Sequence, residues 1–286
     1  MEITYELWYL LPLSILIATI AMSSGIGGAV FFSPLFMIAL KLDPIVAVGT
    51  ALLTELFGFS SGLIAYVKAQ LIDYKLGMHL LLFSVPMAIV GTIFGSEVPP
   101  DILKTIFAVG IIFIGTQLFS LWRKEEREKN EVNRKEEFKI HFEKLLVDKQ
   151  GKEYKYTICN KNMGRFFAGI GGAFLGMISV GLAELQEYHL VAKCKVPAPV
   201  AVATSVFVVV VTVLVASVGH FYEFAVHAET AVINQVVNIA IFTIPGVIIG
   251  GQLGPLLQKK LPEDKMKIGV SLLFVLVGGF MLFTLI

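Results

Sequence analysis

The sequence predicts an all-α polytopic membrane protein built from two inverted repeats, each a broken or re-entrant helical hairpin plus three transmembrane helices. Three observations lead there. The 286 residues are 56% hydrophobic and 16% charged, with a mean hydropathy of +0.79, too apolar for an ordinary water-soluble domain. Paired motifs recur in the same order in the two halves. Finally, two long apolar segments are broken by glycine and serine. In "AMSSGIGGAVFFSPLF" at 21–36, backbone that does not readily stay helical falls at membrane depth.

Crossing about 30 Å of hydrocarbon takes about 20 helical residues. Apolar runs of that order lie at 44–66, 76–96, 101–121, 197–219, 230–256 and 264–286. The stretches 7–40 and 163–192 are each too long for one simple span and are interrupted near the middle. Glu2 and Glu6 stand where a cleaved leader would carry basic residues, so the N-terminus reads as mature. Cys159 and Cys194 form no CxxC or metal-spaced pattern and read as bystanders, with neither a disulfide framework nor a zinc site expected.

The duplication shows first as "VAVGTA" (46–51) against "VAVATS" (200–205). Pro86, Gly91 and Gly95 then match Pro245, Gly250 and Gly254, and "PPD" at 99–101 matches "PED" at 262–264. Basic residues favour cytoplasmic loops, and this decides between topologies. If each broken segment crossed once, Lys and Arg would fall on both sides in similar density. If each enters and returns on one side, 67–75, 122–163, 191–196 and 257–267 share a side. All basic residues except Lys41 and Lys104 then lie in those loops or at their edges. The expected division is a first transmembrane repeat at 1–122, a cytoplasmic charged linker at 123–162 and a second repeat at 163–286. Both termini are expected outside a multi-pass cell (plasma) membrane protein.

Gly25, Gly27 and Gly28 allow the backbone to turn inside the bilayer, which is tolerated where it is buried in protein or lines a cavity. The repeat register places "GIGG" (25–28) opposite "SVGL" (179–182), so Ser179 and Gly181 mark the second tip. The literal second "GIGG" (169–172) forms, with Ala168, Gly172 and Gly176, a small-residue ladder suited to helix packing. Neither is a dinucleotide fingerprint, because "GIGGAV" lacks the third glycine and follows no strand. No cofactor is expected.

The arms after the tips, about 29–39 and 183–193, begin near the midplane. Their N–H ends and helix dipoles suit an anion. Thr50 and the pair Thr204 and Ser205 sit about six residues into their spans, roughly 9 Å by the helical rise, and add candidate hydroxyls. The alternative for them is back-bonding within their own helices.

These residues bring out a resemblance. "SSGIGGAVFFSPLF", "DPIVAVGTALLTELFGFSSGLIAYVKAQLIDYKLG" and "SVGLAELQEYHLVAKCKVPAPVAVATS" resemble the TauE/SafE family of sulfite exporters and sulfonate-uptake permeases, across everything except 122–162. The resemblance implies two related hydrophobic halves that move sulfur-containing or other organic anions, with proton coupling. The second half departs from the family pattern, with "VGLAELQEY" in place of a glycine-rich turn followed by proline.

Glu184 follows the second tip, Glu187 lies one turn on, and Glu55 falls about eleven residues into its span, roughly 16 Å deep by the helical rise. Carboxylates at such depth are default candidates for proton relays or ion sites. Asn234, Gln235 and Asn238 suit interhelical hydrogen bonding, and His220 and His227 are expected in an outer loop beside Glu223 and Glu229. In the linker, "RKEEREKNEVNRKEEF" reads as a helix continuing into the cytoplasm. "FKIHFEKLLVDKQGKEYKYTI" alternates about a turn-like "DKQG", which suits a β-hairpin.

Together these features predict a secondary transporter, not an enzyme. A small anion, sulfite-, sulfonate- or thiosulfate-like, binds between the tips while a protonatable Glu couples its movement. There is no P-loop for a primary pump and no convergent nucleophile and base. The alternative is a cation-coupled carrier or a passive channel built on Glu55 and Glu184. The expected partners are the small anion, the lipid bilayer and copies of the same chain, with no nucleic acid.

Overall fold

The computed structural model describes residues 5–24, 27–132, 144–227, 230–258 and 263–283. A short 3-10 turn, Tyr5–Leu7, leads into α1 (Leu10–Ser24) and α2 (Ala29–Ile38). Then come α3 (Pro44–Ala69), α4 (Tyr74–Glu97) and α5 (Pro100–Val132). Two strands follow, β1 (Lys144–Val147) and β2 (Glu153–Tyr156). The second half holds α6 (Lys161–Ile178), α7 (Leu182–Glu187) running into a π-helical turn (Tyr188–Lys193), α8 (Ala198–His227), α9 (Thr230–Gln258) and α10 (Glu263–Phe283).

Local chemistry sets the boundaries. Pro44 opens α3, where its missing N–H is no loss, and Gln70 ends it with a left-handed φ of 56°. The Asp73 side chain accepts from Leu76 N–H to cap α4, and Asn160 accepts from Met163 N–H to cap α6. Six described helices are long and apolar enough to cross a membrane, among them Tyr5–Ser23. By length and composition that first segment qualifies by itself, although the sequence reading made it one arm of a hairpin.

The helix directions follow from which residues meet. Along α1, Leu11, Ile15 and Met22 meet Gly246, Gly250 and Gly254 of α9 in ascending order. Thr54, Gly58 and Ser61 of α3 meet Thr243, Val247 and Ile248 of α9, also ascending. So α1, α3 and α9 all run the same way, and α2, which joins α1 to α3, runs back. In the second half Gly172 and Gly176 of α6 meet Ser84 and Ala88 of α4. Gly77, Ser84 and Thr92 of α4 meet Phe207, Thr212 and Gly219 of α8. Hence α4, α6 and α8 share a direction, and the segment from α7 through Lys193 runs back between α6 and α8. The last helices of the two halves, α5 and α10, cross head to tail, with Gly115 on Phe274 and Gly278 on Ala108. The glycines matched between the halves, Gly91 and Gly95 against Gly250 and Gly254, lie where α6 and α1 pack against α4 and α9.

Between the halves, β1 and β2 pair antiparallel with Lys144 opposite Tyr156 and Val147 opposite Glu153. The hairpin docks on the α3–α4 corner. The Lys144 ammonium pairs with Asp73, the Tyr156 hydroxyl donates to Asp73 at 2.9 Å, and Lys149 N–H donates to the Ala69 carbonyl at 3.1 Å. Burial pushes the Asp73 carboxyl up, but Lys144, Leu76 N–H and the Tyr156 hydroxyl outweigh it and hold the group below its ordinary value. Burial, followed by the Asp73 contact, raises the Tyr156 phenol.

Two expectations are corrected. Cys159 and Cys194 are not bystanders, because they form a disulfide that ties the end of the linker to the chain just past the π-helical turn. His220 is not in a loop. It lies in α8, fully buried, with Nε2 on the Gly176 carbonyl at 2.8 Å. Its neighbours explain the burial, since Gly49 of α3 packs against the His220 Cβ and the Phe224 ring centroid lies 6.3 Å from that of the imidazole.

Candidate functional site

Around the turn between α1 and α2, Gly25 lies outside the described residues, while Gly27 and Gly28 are described. Gly28 is the first residue of the α2 end, with φ −66° and no side-chain cap, so the N–H groups of Gly28 and Ala29 are left for another partner. That partner is Glu55 of α3, whose carboxyl faces both. Gly27 lies between two carboxyls: a Cβ there would stand 2.9 Å from Glu55 Oε1 and 3.7 Å from Glu184 Oε1. A side chain there would crowd Glu55, from the first half, while Glu184, from the second, stands at ordinary contact distance, so glycine lets Glu55 approach the turn.

The second tip is built differently. Ser179 closes α6 in the left-handed region with φ 58°, and Gly181, with φ 110°, opens α7. An L-residue is strained at the latter angle, which explains glycine there. Glu184 Oε2 accepts the Gly181 N–H at 3.0 Å, so this carboxylate caps its own short helix. The two tips touch through hydroxyls, with Ser33 Oγ of α2 2.6 Å from Ser179 Oγ.

Glu55 is 2% exposed and Glu184 6%, and each keeps one oxygen, Oε2 and Oε1 respectively, without a hydrogen-bond partner. Glu187 is buried beside Tyr66 of α3. The remaining candidates divide. Thr50 donates back to the Val46 carbonyl at 2.6 Å, and Thr204 accepts the Asp73 N–H at 3.0 Å, so each hydroxyl already makes one structural bond. Ser205 is buried with its hydroxyl unpartnered.

One residue escaped the sequence reading. Gln186 is 2% exposed, and both its Oε1 and Nε2 lack a partner. An amide between two glutamates in a membrane-depth segment, "AELQEY", was the available signal. His189 follows in the π-helical turn, with Nδ1 unpartnered and Nε2 3.6 Å from Cys194 Sγ. Cys159, His189 and Cys194 lie together, but both sulfurs are committed to the disulfide.

Two broken helical segments that run back within an apolar bundle, with buried carboxyls at their turns, define a polytopic membrane protein of transporter type. Residues 10–281 match the family described as Sulfite exporter TauE/SafE, and the chain belongs to that family of membrane transporters. It is similar to the Probable membrane transporter protein YunE of Bacillus subtilis (strain 168), at 24% identity over 276 residues covering 94% of each chain. No solved structure matches it.

Proposed function

We propose that the chain moves a small sulfur-containing anion of the sulfite, sulfonate or thiosulfate kind, coupled to protons, through a site at the turns of its two hairpins. The observation that carries this reading is the meeting of Glu55 and Glu184 at Gly27. The N-terminal N–H groups of a helix are natural anion ligands, and at α2 a carboxyl of the protein holds that place. A proton added to Glu55 removes its charge and lets a substrate anion take over the N–H groups of Gly28 and Ala29. For a monoanion, proton and anion together add no net charge to the buried site, which the low dielectric favours. The unpartnered atoms of Glu184, Gln186 and Ser205 offer further bonds to a polar solute.

Under this reading 1–122 and 163–286 are inverted repeats that rock about the turns, supported by the opposite directions of α1 and α6, α3 and α8, and α5 and α10. The concentration of basic residues supports placing 123–162 in the cytoplasm and both termini outside.

The test is flux into proteoliposomes of sulfite, thiosulfate, sulfonates, sulfate and simple carboxylates, with and without an imposed pH gradient. Saturable, gradient-driven anion uptake is the expected result. A second reading takes its support from the same carboxyls: paired acids at one turn also suit a cation. Sodium flux without any anion response would favour it and overturn the first.

A further inference from the structure

A second site lies away from the hairpin turns, where the linker meets both halves at the basic end of the bundle. A cavity of about 230 Å³ is lined by Lys75, Leu76 and His79 of α4, Lys144 of β1, Ile158 and Lys161, the first residue of α6. Arg165, one turn along α6, donates through Nε to His79 Nε2 at 2.8 Å and stacks over the Phe83 ring. That donation requires the imidazole nitrogen to be an acceptor, so His79 adds a dipole to the site and no charge.

The charges do not balance. Asp73 is the carboxylate at this corner, and it is engaged by Lys144 and by the Tyr156 hydroxyl. Lys75, Lys161 and Arg165 have no carboxylate partner among the described residues. Lys75 of α4 and Lys161 of α6 face one cavity with Arg165 one turn behind, and an anion between them relieves their mutual repulsion. Two helices also begin here, α4 at Tyr74 and α6 at Lys161, so their dipoles add to the positive field.

We propose that this cavity binds a tetrahedral oxyanion of the phosphate type, supplied either as the headgroup of an anionic lipid or as a free anion. Ammonium donors converging from α4 and α6 suit such a group, and basic pockets between helices on the cytoplasmic side bind anionic headgroups. An anion held there bridges the first half, the linker strand and the second half. It would therefore stiffen the joint that already contains the Asp73 contacts and the Cys159–Cys194 disulfide.

The experiment uses the full chain in phosphatidylcholine nanodiscs. One arm titrates inorganic phosphate and follows the thermal midpoint, at constant ionic strength set with chloride. The other counts retained phosphatidylglycerol by native mass spectrometry. Both are repeated on a Lys75→Gln/Lys161→Gln double variant, whose two positions are exposed, and on Glu184→Gln. The expected result is saturable binding in at least one arm, weakened at least tenfold in the double variant and kept in Glu184→Gln. A response to phosphate alone identifies a free oxyanion, and retention of phosphatidylglycerol alone identifies a lipid. Binding in neither arm, equal binding by the double variant, or loss in Glu184→Gln instead would overturn the proposal. The last outcome would assign the anion to the hairpin turns.

Discussion

Alanine at the adjacent glycines 27 and 28 should give opposite results. At Gly27 the new Cβ lies 2.9 Å from Glu55 Oε1, where ordinary contact begins at 3.4 Å, so the carboxyl must retreat by the difference. The retreat draws Glu55 away from the N–H groups of Gly28 and Ala29. A contact of this capping kind is worth roughly 1–2 kcal/mol, equivalent to a factor of about 5–30. Because the moving atom ends a flexible side chain, the helices stay in place and the loss should appear in transport more than in folding. At Gly28 the nearest heavy atoms to a Cβ are 3.9–4.0 Å away, and the backbone is already right-handed helical. Alanine there should change uptake by no more than about twofold. The assay is gradient-driven anion uptake into proteoliposomes containing equal amounts of each folded variant. Wild-type uptake by Gly27→Ala, or an equal loss in Gly28→Ala, would refute the placement of Glu55 against the first turn.

Asp73→Asn should free the β-hairpin from the α3–α4 corner by removing the Lys144 pair, with faster proteolysis between 144 and 156 as the readout. The same contact gives a signed pH dependence. Because the folded Asp73 carboxyl titrates below its ordinary value, its stabilisation is complete above the unfolded value of about 3.9 and is lost as the pH falls through the folded one. Protection factors of the 144–156 amides should therefore hold at neutral pH and fall only below about pH 4. Ser33→Ala removes the hydroxyl bridge between the turns and should lower stability by about 1 kcal/mol, seen as a reduced thermal midpoint. Alkylation of the unfolded, unreduced chain should label neither Cys159 nor Cys194, and both should be labelled after reduction.

Most of the architecture was legible in the sequence because it rests on local signals. Length and apolarity mark α3, α4, α5, α8 and α9, and alternation in "KLLV" and "EYKY" marks the two strands. The charged run after Trp122 marks the extension of α5. The site was half legible. Intramembrane acids drew attention to Glu55 and Glu184, and glycines to both turns. Sequence could not show that Glu55 faces the α2 N–H groups from a different helix, because periodicity names a face but not the partner across from it. The same limit hid the Cys159–Cys194 bond, across a separation of 35 residues, and the buried setting of His220. It also hid the bond by which the Thr204 hydroxyl accepts the Asp73 N–H at the α3–α4 corner.

The most direct measurement is pH-gradient-driven sulfite accumulation by wild-type protein and by Glu184→Gln, side by side in proteoliposomes with internal pH recorded. If Glu184 and Glu55 couple the two movements, the wild type concentrates sulfite and acidifies the lumen in step, whereas Glu184→Gln only equilibrates sulfite. Accumulation by Glu184→Gln at the wild-type rate and with the wild-type pH dependence would contradict the coupling role and leave the carboxyl as packing.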